Sequence, residues 1–358
     1  MRQELSAGRV QTVLGVVDAG ALGITMMHEH LLHDASVFFT EPAAASDRPF
    51  AYQPVCLENL SWVRRNENHN LDNVRLTDEA LITREAALYQ LSRGDTMVEL
   101  TTSGVFGRDP LGLVRISRAT GLNIIMGTGY NGAALHTAKL IAQTEADVTD
   151  ELVGEIAAGV GSTGVRAGII GEIGCSTLNE TERKVLRCCA RAQQRTGVAI
   201  SIHPTPNDAA ALEIITILRD AGADLSHTIM GHVHISGFSK ATCHELADAG
   251  CYLGYDNFGL EGVMELPGLG RSVELSDAQR MNDIIDLIAE GYLEKIIVSQ
   301  DVATKHRLAA YGGLGYAHIL RDIVPAMLSR GVTEDHLHTI LVDNPKRVLS
   351  CWMPEAPE

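Results

Sequence analysis

The chain has no CxxC pair, no long apolar run and far fewer cations than anions, and each lack removes a class of function. Its seven cysteines (56, 175, 188, 189, 243, 251 and 351) are odd in number and scattered. That excludes a disulfide framework and a thiolate zinc site, and leaves reduced, mostly buried thiols. No apolar stretch approaches the roughly 18 residues a membrane helix needs. The opening MRQELSAGRVQTVLG lacks the charged head and apolar segment of an export signal, so the expected location is the cytoplasm. Lys and Arg number 29 against 45 Asp and Glu, a net charge of −16. Such a surface repels nucleic acid and anionic membrane, so neither is an expected partner. A small-molecule substrate stays open, because a local basic pocket can exist on an acidic protein. Walker A sequences are absent, and no GxGxxG follows the first strand.

What the sequence does have is a recurring unit. Compact apolar runs occur at 24–32, 95–102, 123–130, 167–174, 198–204, 227–233, 251–257 and 295–301, as expected for strands covered on both faces. Most lead into stretches patterned as helices. Residues 179–197 open with Asn179 and Glu182, a capping-box pair, and stop at Gly197; residues 276–291 open with Ser276 and Gln279. The second stretch spaces Met281, Ile284, Ile285 and Ile288 to make one core face, and 77–94 reads as a third helix. Eight strands alternating with helices specify an α/β fold of the (β/α)8 TIM-barrel type. An open doubly wound sheet is the rival, disfavoured because no glycine fingerprint follows the first strand. With no linker and no short repeat, residues 1–358 are expected to form a single domain. Within it, 33–76 is a long insertion after the first strand that forms small helices over the barrel mouth.

Polar residues interrupt these apolar runs in a regular way. His28 and His30 lie on strand one, one residue apart, so they share a face while Glu29 points opposite. Glu172 sits in strand four, His203 ends strand five, His232 lies in strand six and Asp301 ends strand eight. Each alone has a structural explanation: a hydrogen-bonded core pair, a buried ion pair, a satisfied histidine, a helix cap. Together they place one polar oddity at the C-terminal half or end of each of these strands, where barrel enzymes keep their chemistry. Four imidazoles and two carboxylates at one mouth form a nitrogen/oxygen site suited to zinc or a similar divalent ion. His234 shares the His232 face and is a rival ligand.

The motifs GRVQTVLG (8–15), MHEHL (27–31), GIIGEIGCS (168–176), SIHP (201–204), GH at 231–232 and DNPKRVL (343–349) resemble the phosphotriesterase family of the amidohydrolase superfamily. The resemblance runs over nearly the full length, with ENLSWVRRN and YGGLGYAHIL pointing to its phosphotriesterase-related branch. It implies two divalent ions per chain, zinc foremost, in a binuclear centre at the C-terminal mouth of the strands. His28 and His30 would hold the buried ion with Asp301, His203 and His232 the exposed one, and Glu172 would bridge. Here the chain departs from the founding phosphotriesterases and the related lactonases, which bridge with a carbamylated lysine; Glu172 is already a carboxylate. The departure weakens any expectation of efficient organophosphate hydrolysis. Two such ions lower the pKa of a shared water to about 7 and polarise the substrate oxygen. The implied activity is thus hydrolysis, with Asp301 as the catalytic proton shuttle. The resemblance also makes a homodimer a reasonable assembly.

For substrate contacts, Tyr130 at the end of strand three, Asp256 at strand seven, and Lys305, His306 and Arg307 after strand eight are expected near the mouth. Two cations there suit an anionic tail, a carboxylate or sulfonate. The leading function is a zinc-dependent hydrolase of small amides or esters of the N-acyl amino acid or N-acyl taurine type. A lactonase or carboxylesterase with weak phosphotriesterase activity is the alternative. A non-catalytic, metal-containing binder of a hydrophobic ligand is the alternative from another class. The complete set of six ligands argues against the binder, since a decayed site would lose at least one.

Overall fold

The computed structural model describes residues 5–102, 106–132, 136–266, 270–274 and 276–352, with backbone alone in 263–266 and 270–274. Eight parallel strands form one sheet: β1 (Thr25–Glu29), β2 (Thr96–Glu99), β3 (Asn123–Thr128), β4 (Ile169–Gly174), β5 (Ile200–His203), β6 (Thr228–Met230), β7 (Tyr252–Tyr255) and β8 (Ile296–Val298). Each pairs in parallel with the next in chain order, from β1 through β8. All eight expected apolar runs are therefore strands, and the sheet curls into a nearly closed TIM barrel.

The strands are buried on both faces, which accounts for their unbroken hydrophobicity. One set of side chains fills the barrel: Met27, Val98, Ile125, Ile169, Ala199, Ile229, Tyr252 and Ile297 pack into an interior cluster. A second, larger cluster lies between strands and outer helices, where Met26, Met97, Ile170, Ile202 and Leu253 meet helical residues such as Ile82, Leu186 and Ile284. At the N-terminal end of the strands the barrel is plugged. An antiparallel hairpin, Arg9–Thr12 with Gly15–Asp18, and the terminal helix Asn344–Leu349 put Val10, Val348 and Leu349 into the interior cluster.

The outer helices include α1 (Glu79–Leu91), α2 (Pro110–Thr120), α3 (Glu145–Ala157), α4 (Glu180–Thr196), α5 (Asp208–Asp220), α6 (Lys240–Asp248) and α7 (Asp277–Ala289). Their starts follow local chemistry. Asn179 Oδ1 accepts from the amides of Thr181 and Glu182 while the Glu182 carboxylate accepts from Asn179 N; Gly197, at φ 70°, ends the helix. In α7 the capping box forms as expected, yet the buried face is Arg280, Met281, Ile284 and Leu287, with Ile285 and Ile288 only partly covered. The difference is Arg280, fully buried because its guanidinium reaches Asp277 Oδ1 at 2.8 Å and the Leu260 carbonyl at 2.8 Å.

Residues 33–76 fold as short elements: a two-residue strand pair (His33–Asp34 with Arg75–Leu76), helical turns at Ser36–Phe38, Arg48–Tyr52 and Glu67–His69, and a short helix at Leu60–Val63. They pack on the segment after β8, where Lys305 N donates to the Asn73 carbonyl at 2.8 Å and His306 N to Asn73 Oδ1 at 2.9 Å. Among the described residues, no helix is long and apolar enough to cross a membrane. The seven cysteines are free, and all but Cys56 are buried.

The seam between β8 and β1 is joined largely through side chains. Glu29, wholly buried, accepts from Ser299 Oγ at 2.8 Å, Gln300 N at 2.8 Å and Val302 N at 3.0 Å. Ser299 Oγ in turn accepts from His28 N at 2.9 Å, and Asp301 N donates to the His28 carbonyl at 3.0 Å. The middle residue of HEH thus fastens the strand bearing His28 to the segment bearing Asp301.

Candidate metal centre

Strand irregularities aim the candidate ligands. Pairing between β1 and β2 shifts register between Met26 and Glu29, and pairing between β4 and β5 shifts between Ile170 and Ile173. A bulge re-aims a side chain against the two-residue alternation, so His28 reaches the centre although Met27 before it also faces the barrel interior. The second shift brackets Glu172. Beside it Gly171 takes φ 145°, and a Cβ there would come within 2.7 Å of the Ser201 carbonyl, so no larger residue fits.

His232 and Asp301 were expected inside or at the ends of strands; both lie beyond them, past Met230 and Val298. Each has φ 52°, and among the described residues only four non-glycine residues have positive φ. A left-handed turn costs on the order of 1–3 kcal/mol and persists where surroundings hold it. Here it swings both side chains off the extended path and over the barrel.

The six side chains meet. His203 Nδ1 lies 2.7 Å and His232 Nε2 2.8 Å from Glu172 Oε1, with His28 Nε2 at 3.4 Å. Asp301 Oδ1 lies 3.3 Å from His30 Nε2 and 3.7 Å from His28 Nε2. Three overlapping triads, each with its ligand atoms within 4.8 Å of one another, result: His28–His30–Glu172, Glu172–His203–His232 and His28–His232–Asp301. All but His203 are nearly withdrawn from solvent; its side chain is 44% exposed.

Further groups orient these six. Asp256 Oδ1 lies 2.9 Å from His232 Nδ1, the same carboxylate accepts from His232 N, and its Oδ2 is 3.3 Å from His28 Nδ1. His30 Nδ1 meets Thr101 Oγ1 at 3.0 Å, which turns Nε2 to the centre. Asn257 Nδ2 donates to Asp301 Oδ2 at 3.0 Å, and Asn131 Nδ2 to Glu172 Oε2 at 3.2 Å. Such partners fix ring orientation and tautomer in metal sites.

The residues fit divalent ions. Burial alone would push the His28 imidazole down, but Asp301, Glu172 and Asp256 outweigh it and hold it up at about 9. Burial likewise opposes ionisation of Glu172, yet the facing imidazoles of His203, His28 and His232 keep its carboxyl well below the usual range. The carboxylates thus favour positive charge at this point, which a proton on His28 or a metal ion can supply. His28 Nε2 is buried without a hydrogen-bond partner, among carboxylate oxygens at 3.4 and 3.7 Å. Once its proton is displaced, a nitrogen so placed, with imidazole and carboxylate ligands around it, suits zinc and similar ions.

Three expected mouth residues sit elsewhere or are already engaged, and a fourth, Arg307, lines a neighbouring cavity. Tyr130 faces the outer helices, where burial and the nearby Glu151 and Glu155 of α3 raise its hydroxyl well above the usual range. Asp256 stands behind the histidines with both oxygens occupied. Lys305 is tied to Asp72 at 2.6 Å. Arg307 is nearly buried, its guanidinium on the carbonyls of Asp301, Gln300 and Phe258. The rival ligand His234 turns from the centre to Asp283 of α7, at 3.0 Å. The roles of Glu29, Asn131 and Asn257 were missed. Only alternation hinted at Glu29, and single asparagines carry no spacing signal.

A family model described as phosphotriesterase family matches residues 8–349. An N-acetyltaurine hydrolase of Dictyostelium discoideum is 39% identical over 364 residues, 96% of this chain and 98% of the relative. A phosphotriesterase-related protein of Nematostella vectensis is 39% identical over 350 residues, 97% and 99% of the two chains. Among solved structures, a resiniferatoxin-binding protein from Rhodobacter sphaeroides superposes with TM-score 0.92 at 34% identity, covering 97% of this chain and 96% of the other.

Proposed function

Because the chain belongs to the phosphotriesterase family, and is accordingly a hydrolytic enzyme with a candidate metal centre, we propose that it cleaves a small N-acyl amide of the N-acyl taurine or N-acyl amino acid type. The observation that carries this reading is the unbroken set of His28, His30, Glu172, His203, His232 and Asp301 at one barrel mouth, in a chain similar over its whole length to an N-acetyltaurine hydrolase.

In this reading His28, His30 and Asp301 would hold one divalent ion and His203 and His232 a second, Glu172 would contribute to both, and zinc is the expected metal. When bound, such ions supply an activated water and polarise the substrate carbonyl. Asp301 carries the proton to the leaving amine: Asn257 steadies its Oδ2 while Oδ1 faces His28 and His30. Asp256 keeps the imidazoles of His28 and His232 turned inward. His203, the most exposed of the six, marks the side from which substrate arrives.

The test is turnover by the metal-loaded protein on N-acyl taurines, N-acyl amino acids, lactones and phosphotriesters, each with and without prior chelation. Chelator-sensitive cleavage of the amides above the other classes is expected. Preference for lactones or phosphotriesters would overturn the substrate class, and no turnover on any class would overturn the enzymatic reading.

A further inference from the structure

A cavity of about 340 Å³ is walled by the segments that follow β1, β7 and β8, and one of its lining residues, Arg307, bonds the main-chain carbonyl of Asp301. Two arginines face it, Arg64 after the short helix Leu60–Val63 and Arg307 after β8, with His306 beside them. Their partners are unusual. Arg307 donates to the carbonyls of Asp301 at 2.5 Å, Gln300 at 2.5 Å and Phe258 at 3.3 Å; Arg64 donates to that of Gly312 at 2.5 Å. Among the described residues, neither has a carboxylate within ion-pair distance, whereas the buried Arg108 and Arg280 are paired with Glu155 and Asp277. Carbonyl oxygens aim a guanidinium without neutralising it; Arg307 is nearly buried with no ion-pair partner, while Arg64 lies at the exposed rim where an anion can reach it.

The other charged groups of the wall define that anion further. Glu261 receives Asp277 N at 2.9 Å, and Glu67 lies 4.0 Å from His306 Nε2. Burial first, then the two arginines, press the His306 imidazole down to about 3, so it adds no charge. Two carboxylates in the same wall offset much of the charge of the two cations, which disfavours a multiply charged ligand. The wall and the centre share a residue: Arg307 holds the main-chain carbonyl of Asp301, whose carboxylate faces His28 and His30.

We propose that Arg64 and Arg307 form the subsite for a monoanionic oxyanion tail, sulfonate or carboxylate, on a substrate whose acyl end lies at the metal centre. This rests on the amide-hydrolase reading above and adds what selects the substrate. It also replaces Lys305, already engaged by Asp72, with Arg64 as the second cation.

Arg64→Gln in the metal-loaded enzyme tests it, because Arg64 is exposed and Arg307 also braces three carbonyls. Two readouts are taken: kcat and KM on N-acetyltaurine and on uncharged N-ethylacetamide, and calorimetric binding of the N-acetyltaurine analogue with a methylene in place of the amide nitrogen. Loss of one charge-assisted contact predicts a roughly ten- to hundredfold weaker Kd for the charged analogue. KM for N-acetyltaurine should rise in step with little change in kcat, N-ethylacetamide should be unaffected, and Arg64→Lys should recover part of the loss. Unchanged binding of the charged analogue by Arg64→Gln would overturn the subsite even if amide hydrolysis is intact. Equal losses on charged and uncharged ligands would overturn it as well, exposing a structural role. If the wild type binds the analogue through Arg64 yet cleaves no amide, the subsite stands and the amide-hydrolase reading fails.

Discussion

Asp256→Asn tests whether Asp256 orients the candidate metal ligands or, as the sequence suggested, contacts the substrate. The carboxylate meets His232 Nδ1 at 2.9 Å, His232 N at 2.9 Å and His28 Nδ1 at 3.3 Å. An asparagine of the same shape has one acceptor and one donor there, so at least one of these N–H groups must face an NH2. His28 and His232 serve different ions in the proposed centre, so both ions should weaken. Loss of such an orienting partner lowers metal affinity by about 10–100-fold, or roughly 1.4–2.7 kcal/mol. Competition with a chromogenic chelator measures the affinity, and steady-state kinetics at saturating metal measures kcat and KM. The expected pattern is weakened metal with KM little changed once metal is saturating. Metal affinity within about twofold of wild type together with a raised KM would refute the reasoning and return Asp256 to the substrate side.

Further outcomes are expected. Asp301→Asn should keep the fold and much of the metal but lose roughly 10²–10⁴ in turnover, the range of a proton-transfer group; wild-type turnover would reduce Asp301 to a helix cap. Glu172→Gln should bind at least one ion fewer, since a neutral amide bridges two cations poorly, and reconstitution of the stripped native protein should not depend on bicarbonate. A strong bicarbonate requirement, or full occupancy in the variant, would assign the bridge to another group. Away from the centre, burial would push His318 down, but Asp277 at 2.7 Å and Asp322 at 2.8 Å raise it above its ordinary value, while Asp277 is held low. A raised histidine stabilises fully below its unfolded pKa, about 6.5, and loses that contribution as pH climbs through the folded value. A depressed aspartate stabilises above its unfolded pKa, about 3.9, and loses that contribution as pH falls. The Tm deficit of His318→Gln should therefore be greatest between about pH 4 and 6.5 and shrink as pH rises above that window; a deficit independent of pH would show that His318 acts by packing alone.

The barrel was legible because buried parallel strands are written as continuous apolar runs and helix starts as capping pairs, as Asn179 with Glu182 shows. The six candidate ligands stood out because a polar residue inside such a run has few structural explanations. Contacts made by irregular backbone were not legible. Alternation cannot foresee a bulge at His28 or a left-handed turn at His232 and Asp301, because these depend on neighbouring strands. Nor does sequence show which way a loop residue turns. Lys305 and Arg307 are two apart, yet one is neutralised by Asp72 and the other is not, and Arg64, more than two hundred positions away, lines the same cavity. Asp256 and Tyr130 follow β7 and β3 at similar points, but one sits behind the histidines and the other among the outer helices.

The most direct test of the central claim is the metal content of protein purified without chelator and supplemented with zinc, measured by elemental analysis against protein concentration. The proposed binuclear centre predicts close to two ions per chain, falling when Glu172 or His232 is replaced. A content near zero after supplementation, or two ions retained when both residues are replaced together, would contradict it.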